Sequence, residues 1–163
     1  MKKKYAHTLI SITCALIAFL LDQGSKFLIL ENPQLSGLNH IEILPFFNFV
    51  LVMNRGVSFG MFAGHNQPLL IIIISLLILA ALAVWLWRNS SLTVAVGIGL
   101  VIGGALGNIC DRIRFGAVVD FLDFHVADLH WPAFNIADSF VFIGVVVLCI
   151  YSMFFEKKNQ TGE

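Results

Sequence analysis

Two aspartates stand where apolar sequence begins or ends: Asp120 in GAVVDF, and Asp138 in FNIADS, which leads into the apolar run 140–155. A carboxylate at the edge of hydrocarbon is costly, so each is either a structural group kept wet or a reagent. Two carboxylates held close together cannot both ionise easily, and they share a proton. Such a pair hydrolyses an amide without a nucleophilic side chain. The ionised member takes a proton from water, while the protonated member polarises the carbonyl and later protonates the departing amine. The structural alternatives are specific: Asp138 suits a helix N-cap, and Asp120 suits a solvated loop. Asn135, three residues before Asp138, offers a second cap for the same helix.

Other polar groups interrupt apolar stretches. Asp22 and Lys26 lie at i and i+4 on one helical face and read as a structural polar pair from which Lys26 snorkels outward. Gly99, Gly103 and Gly107 recur at every fourth position, a smooth stripe for close helix packing. Helical spacing puts Gly104, Asn108 and Arg112 on a neighbouring stripe with Asp111 beside them, and packing alone does not account for those polar residues. A polar interior facing the outer loops does. Arg112 is expected to pair with an acidic side chain such as Asp111 or to contact a lipid phosphate. In DFHVADLH, the residues Asp123, His125, Asp128 and His130 match no strong metal-binding spacing, so a solvated strand and no metal are expected. His7, His40 and His65 read as interfacial. Cys14, Cys110 and Cys149 are odd in number, lack metal-type spacing and read as small buried hydrophobes.

The elements that must position these groups follow from composition. Of 163 residues, 58% are hydrophobic and 12% charged, where soluble domains carry about 25% charged residues. Mean hydropathy is +0.88, too apolar a balance for one small core to hide. The zero formal net charge gives no basic signal for nucleic acid. A membrane-crossing helix needs about 20 mostly apolar residues, and the segments 7–30, 68–87, 92–110 and 136–155 qualify or nearly do. The first is expected to remain uncleaved, since Thr13 precedes Cys14 and the apolar run continues through Leu21. Trp85, Trp87 and Arg88 close the second span as an interfacial belt. Lys2 to Lys4, Arg88, and Lys157 with Lys158 all fall on one side if there are four spans, which puts both termini in the cytoplasm. Arg112 and Arg114 then lie at the outer end of span three, an exception that suggests a local role. The outer segments 31–67 and 115–135 are rich in β-branched and aromatic residues, with a turn signal at Asn54 to Gly56. The expected fold class is an α-helical integral membrane protein of four transmembrane helices, with a small β-sheet on the outer face, in a single domain over 1–163.

Five blocks then appear in order: DQGSKFLI (22–29), NRGVSFG (54–60), GGALGNICDRI (103–113), GAVVDF (116–121) and FNIADS (134–139). With them the chain resembles the lipoprotein signal peptidases, signal peptidase II, over nearly its whole length. The second block departs mildly, since Val57 and Ser58 stand where many members carry alanines. The resemblance implies an intramembrane aspartyl endopeptidase of the bacterial inner membrane, with Asp120 and Asp138 as catalytic dyad. It also implies supporting or substrate-binding roles for Asn54, Arg55, Asn108, Arg112 and Asn135, and makes Asp22 and Lys26 another recurrent polar position. The substrate it implies is a prolipoprotein whose cysteine carries diacylglycerol, cut just before that cysteine, with membrane lipid as the other partner. No cofactor is expected, and a monomer is. From the residues alone, a small proton-coupled transporter and a non-catalytic membrane scaffold remain as alternatives. The acids sit at span ends rather than at the midplane where transporters bind, which speaks against the first.

Overall fold

The computed structural model describes residues 2–37, 40–56, 67–89 and 91–156. The residues Val57, Ser58, His65, Lys157 and Lys158 named above lie outside these. Helix α1 (Lys2–Leu30) is followed by the short α2 (Pro33–Gly37) and strands β1 (His40–Leu44) and β2 (Phe47–Asn54). Helices α3 (Gln67–Arg88) and α4 (Leu92–Phe115) form a tight hairpin. Strands β3 (Val118–Val126) and β4 (Leu129–His130) then lead to α5 (Ile136–Tyr151), which ends in a π-helical turn, Ser152–Glu156. Among the described residues four helical stretches are long and apolar enough to span a membrane: Tyr5–Leu30, Pro68–Arg88, Leu92–Phe115 and Ile136–Phe154.

Helix α4 is the hub. In its apolar window 56% of residues are buried, against 6% to 17% in the other three. Its glycines make that possible. A Cβ on Gly99 would lie 2.5 Å from the Ser11 carbonyl oxygen of α1, and one on Gly103 would strike the Ala15 carbonyl oxygen. On another side, Gly104 abuts the Ala137 carbonyl oxygen of α5, and Gly97 meets Leu148. The anticipated glycine stripe therefore serves two neighbours at once. Leu9, Leu16, Leu20, Phe27 and Leu28 of α1 stay exposed on the outside of the bundle, as lipid-facing side chains should.

The four strands form one antiparallel sheet in the order β1-β2-β3-β4. One face is apolar: Ile29, Leu35 and Phe121 form a buried cluster with Ile41, Phe49, Leu51, Leu122 and Ile136 packed around it. That cluster seats the sheet on the ends of α1 and α5.

Three local expectations need correction. Helix α4 runs to Phe115 instead of 110, because Gly116 supplies a left-handed C-cap (φ 68°) whose N–H donates to Arg112 O. Asp111, Arg112 and Arg114 are thus helical. Within 31–67, Pro33–Gly37 is helical rather than extended, since Pro33 suits a first helical position and Asn32 Oδ1 accepts the Gln34 N–H at 2.9 Å. The cysteines are not buried: Cys14 and Cys110 are half-buried and Cys149 is exposed, on helix surfaces where neighbours cover one side at most.

Candidate active site

Strand β3 begins after the Gly116 cap and carries Asp120 opposite Val52 of β2, past an irregularity between Phe49 and Val52. The chain returns from β4 as an extended segment that bridges to β3 at Phe134. The Phe134 N–H donates to Leu122 O at 3.1 Å, and the Leu122 N–H donates back to Phe134 O at 2.8 Å. This pairing lays the next residue, Asn135, beside Asp120, and α5 starts there. Asn135 is the N-cap, with its side chain accepting the Asp138 N–H at 2.9 Å while Asp138 Oδ2 accepts the Asn135 N–H at 3.3 Å. Capping and carboxylate placement are therefore one arrangement.

Three asparagines hold the two carboxylates, and the orientation of each amide is dictated by chemistry. The Asn54 oxygen accepts the Gly56 N–H at 2.9 Å, leaving its NH2 to donate to Asp120 Oδ2 at 2.8 Å. The Asn135 oxygen is taken by the Asp138 N–H, so its NH2 donates to Asp120 Oδ1 at 2.7 Å and to Asn108 Oδ1 at 3.1 Å. The Asn108 oxygen also accepts from Lys26 Nζ at 3.0 Å, and its NH2 donates to Asp138 Oδ1 at 2.8 Å. An N–H or an ammonium only donates, so each amide must present its oxygen there and its nitrogen to a carboxylate. Asp120 and Asp138 are thereby joined through Asn135 and Asn108.

Asp120 is 2% exposed. Burial pushes its carboxyl from the ordinary 3.8 up to about 6, and the charge of Asp138 adds to the rise, against the opposing hydrogen bonds of Asn54 and Asn135 and the charge of Lys26. A carboxyl so poised holds or releases a proton within the range where a general acid works.

Below the carboxylates lies a second polar layer. Lys26 Nζ is 2.8 Å from Asp22 Oδ2 and 2.7 Å from Asp111 Oδ2. The expected outward snorkelling does not occur: Lys26 is 2% exposed and points into the bundle, because Asp111 of α4 adds a second carboxylate there. Asp22 Oδ1 accepts the Ala137 N–H at 2.9 Å. Asp111 also receives Gln23 Nε2 at 3.0 Å and the Val119 N–H at 3.1 Å. With Asp111 so engaged, the anticipated Asp111–Arg112 pair does not form; Arg112 Nη1 donates to Asn108 O at 3.3 Å. The Arg112 Nε is buried without a hydrogen-bond partner among the described residues, and Arg112 feels the charges of Asp138, Asp120 and Asp111.

Of the sequence-selected residues, the structure gathers Asp120, Asp138, Asn54, Asn108, Asn135 and Arg112, and sets Asp22 and Lys26 directly beneath. Arg55 stays apart, exposed on the turn after β2. One member of the network carried no assigned role, and another, Asp111, was singled out only beside Asn108 and Arg112 and as a partner for Arg112. Gln23 is an ordinary interfacial residue by type, whereas Asp111, a carboxylate one turn after Gly107 in an apolar helix, carried a signal. The histidine-rich strand is a separate feature: His130 Nδ1 lies 2.9 Å from Asp123, which also receives Asn48 Nδ2 at 3.0 Å. Among the described residues no group of His, Cys, Asp and Glu is arranged to hold a metal ion.

Known proteins share this arrangement of elements. The model of the family described as Signal peptidase (SPase) II matches residues 14–154. The chain is 43% identical over 150 residues to the lipoprotein signal peptidase of Aeromonas hydrophila, covering 90% of this chain and 89% of the relative. It is 39% identical over 150 residues to that of Rhodopseudomonas palustris strain TIE-1, covering 88% and 92%. A bacterial membrane enzyme solved by the in meso method at 1.9 Å resolution superposes with a TM-score of 0.79 at 33% identity, over 89% of this chain and 93% of that one. A match spanning most of the chain, at this identity and with the same architecture, makes the protein a member of the signal peptidase II family.

Proposed function

We propose that the protein is an aspartic endopeptidase of the bacterial inner membrane that removes signal peptides from diacylglyceryl-modified prolipoproteins, cutting immediately before the lipid-bearing cysteine. Relatives named lipoprotein signal peptidase support the reaction. The observation that carries the mechanism is the linkage of Asp120 to Asp138 through the amides of Asn135 and Asn108.

In this mechanism Asp120, whose buried carboxyl is held up to about 6, keeps the shared proton. Asp138 works as the base, in the first turn of α5 where the helix dipole favours negative charge. Asp138 takes a proton from water as the oxygen adds to the scissile carbonyl, and Asp120 gives its proton to the carbonyl oxygen. The resulting diol collapses: one hydroxyl proton returns to Asp120, the proton on Asp138 goes to the cysteine nitrogen, and the C–N bond breaks. The signal helix and the acyl chains stay in the bilayer throughout. The following polypeptide leaves over the sheet, where a polar cleft of about 700 Å³ is lined by His40, Glu42, Asn48, Val52, Asp123 and His130. Arg112, whose buried Nε lacks a hydrogen-bond partner among the described residues, would meet substrate backbone or lipid phosphate in this reading.

Purified enzyme in detergent, assayed by gel shift on a lipid-modified prolipoprotein, tests the reading. Asp120→Asn and Asp138→Asn each lower kcat by about a thousandfold or more while the proteins still insert. Wild-type kcat/KM falls as pH rises through the upper apparent pKa of the pair, because the acid is lost. Normal cleavage by either variant removes the dyad.

A further inference from the structure

A buried ammonium beside one carboxylate is already neutral, yet Lys26 does more than balance Asp22. Its Nζ reaches three acceptors, Asp22 Oδ2 at 2.8 Å, Asp111 Oδ2 at 2.7 Å and Asn108 Oδ1 at 3.0 Å, which matches its three hydrogens. The third contact leaves the ion cluster and enters the dyad, since Asn108 Nδ2 donates to Asp138 Oδ1 at 2.8 Å. The ammonium has nothing to accept with, so it forces the Asn108 oxygen inward and the NH2 outward. A flipped amide would set oxygen against the Asp138 carboxylate. Asp22 works in parallel, accepting the Ala137 N–H at 2.9 Å and anchoring the turn that carries Asp138.

We propose that Lys26 is a positioning residue for the cleavage reaction: it locks the Asn108 amide toward Asp138, and it brings a buried positive charge to the aspartates. The inference rests on the dyad reading above. The charged and titratable groups facing the pair are Asp22 and Lys26 from α1 and Asp111 and Arg112 from α4, while Arg55 after β2 is exposed and stays apart. From β3 comes Asp123, already engaged by His130 and Asn48. The positive charge of Lys26 favours the ionised form of Asp120, so removing it makes Asp120 hold its proton to higher pH.

The test compares Lys26→Met, which loses donor and charge, with Lys26→Gln, which keeps a donor and loses charge, in the same assay across pH. Lys26→Met is expected to lower kcat by about 30- to 100-fold with KM within about twofold, the signature of an interaction lost in the transition state. Both variants should move the alkaline limb of kcat/KM up by about half a unit to one unit. Lys26→Gln should recover part of the lost kcat. If Lys26→Met does not fold because Asp22 and Asp111 are left unpaired, the triple variant D22N/K26M/D111N removes that burden and should show the same kcat loss, while the limb is read from Lys26→Gln because the triple variant also removes two negative charges. Wild-type kcat in the Met or triple variant overturns the proposal. So does a Gln variant as impaired as Met with an unmoved limb, which would mark a purely structural lysine. Asp120→Asn and Asp138→Asn run alongside: normal cleavage there sinks the dyad itself, whereas inactive controls beside an indifferent Lys26→Met sink this inference alone.

Discussion

Each oxygen of Asp120 meets an asparagine NH2, yet burial still wins and the carboxyl rises to about 6. That competition has a consequence for stability. A folded-state pKa above the unfolded 3.8 means that the stability contributed by this group is complete below about pH 4 and is lost as pH rises through about 6. At one pKa unit per 1.36 kcal/mol, the loss above pH 7 is at most about 3 kcal/mol. Asp120→Asn carries no charge to desolvate, so its thermal unfolding in detergent should exceed that of the wild type at pH 8 by several degrees more than at pH 4.5. An equal difference at both pH values contradicts the assignment. The residue types of the site were legible in the sequence, since carboxylates and amides are conspicuous at the edges of apolar runs. Amide orientation was not, because it depends on which donor-only group lies opposite: the Gly56 N–H, the Asp138 N–H and the Lys26 ammonium.

Helices α4 and α5 approach closely enough for backbone to meet backbone, and that approach lets Asn108 span the gap to Asp138. A Cβ at Gly104 would strike the Ala137 carbonyl oxygen and lie 2.9 Å from Val141 Cγ2. Gly104→Val should therefore destabilise the protein by about 1–3 kcal/mol, as overpacking does, and lower cleavage by pulling Asn108 away from Asp138. Gly24 is the control, because a Cβ there would meet nothing within 4 Å on the exposed face of α1. Gly24→Ala should be neutral or stabilising by up to about 1 kcal/mol, the helix-propensity difference. Thermal unfolding of the purified pair of variants decides; equal melting temperatures for the two contradict the packing account. The glycine spacing announced a close helix contact in advance. It did not reveal that Gly99 and Gly103 face α1 while Gly97 and Gly104 face α5, which depends on where the neighbouring helices lie.

Across the whole molecule, the described residues hold four helices apolar and long enough to span a membrane, and the strands come from the connections between the first and second and between the third and fourth. The basic residues near the chain ends argue that both ends are cytoplasmic. A reporter fused after Glu163 that fluoresces only in the cytoplasm should be bright, and a periplasmic phosphatase fused there should be inactive; the reverse pattern overturns this topology. The four apolar helices and the small sheet were legible in the sequence, and Asp120 and Asp138 stood out as candidates, because hydropathy, length and the rarity of charge in apolar segments are local properties. The path of Lys26 was not. An Asp–Lys pair at i, i+4 is equally compatible with snorkelling outward or pointing inward, and Asp111 with Asn108, the latter 82 residues away, decided for inward. The Asp22 contact to Ala137 spans 115 residues. Such contacts exist only once three helices have packed and the returning strand has set Asn135 beside Asp120. Tertiary structure alone therefore turned scattered polar residues into one hydrogen-bonded site.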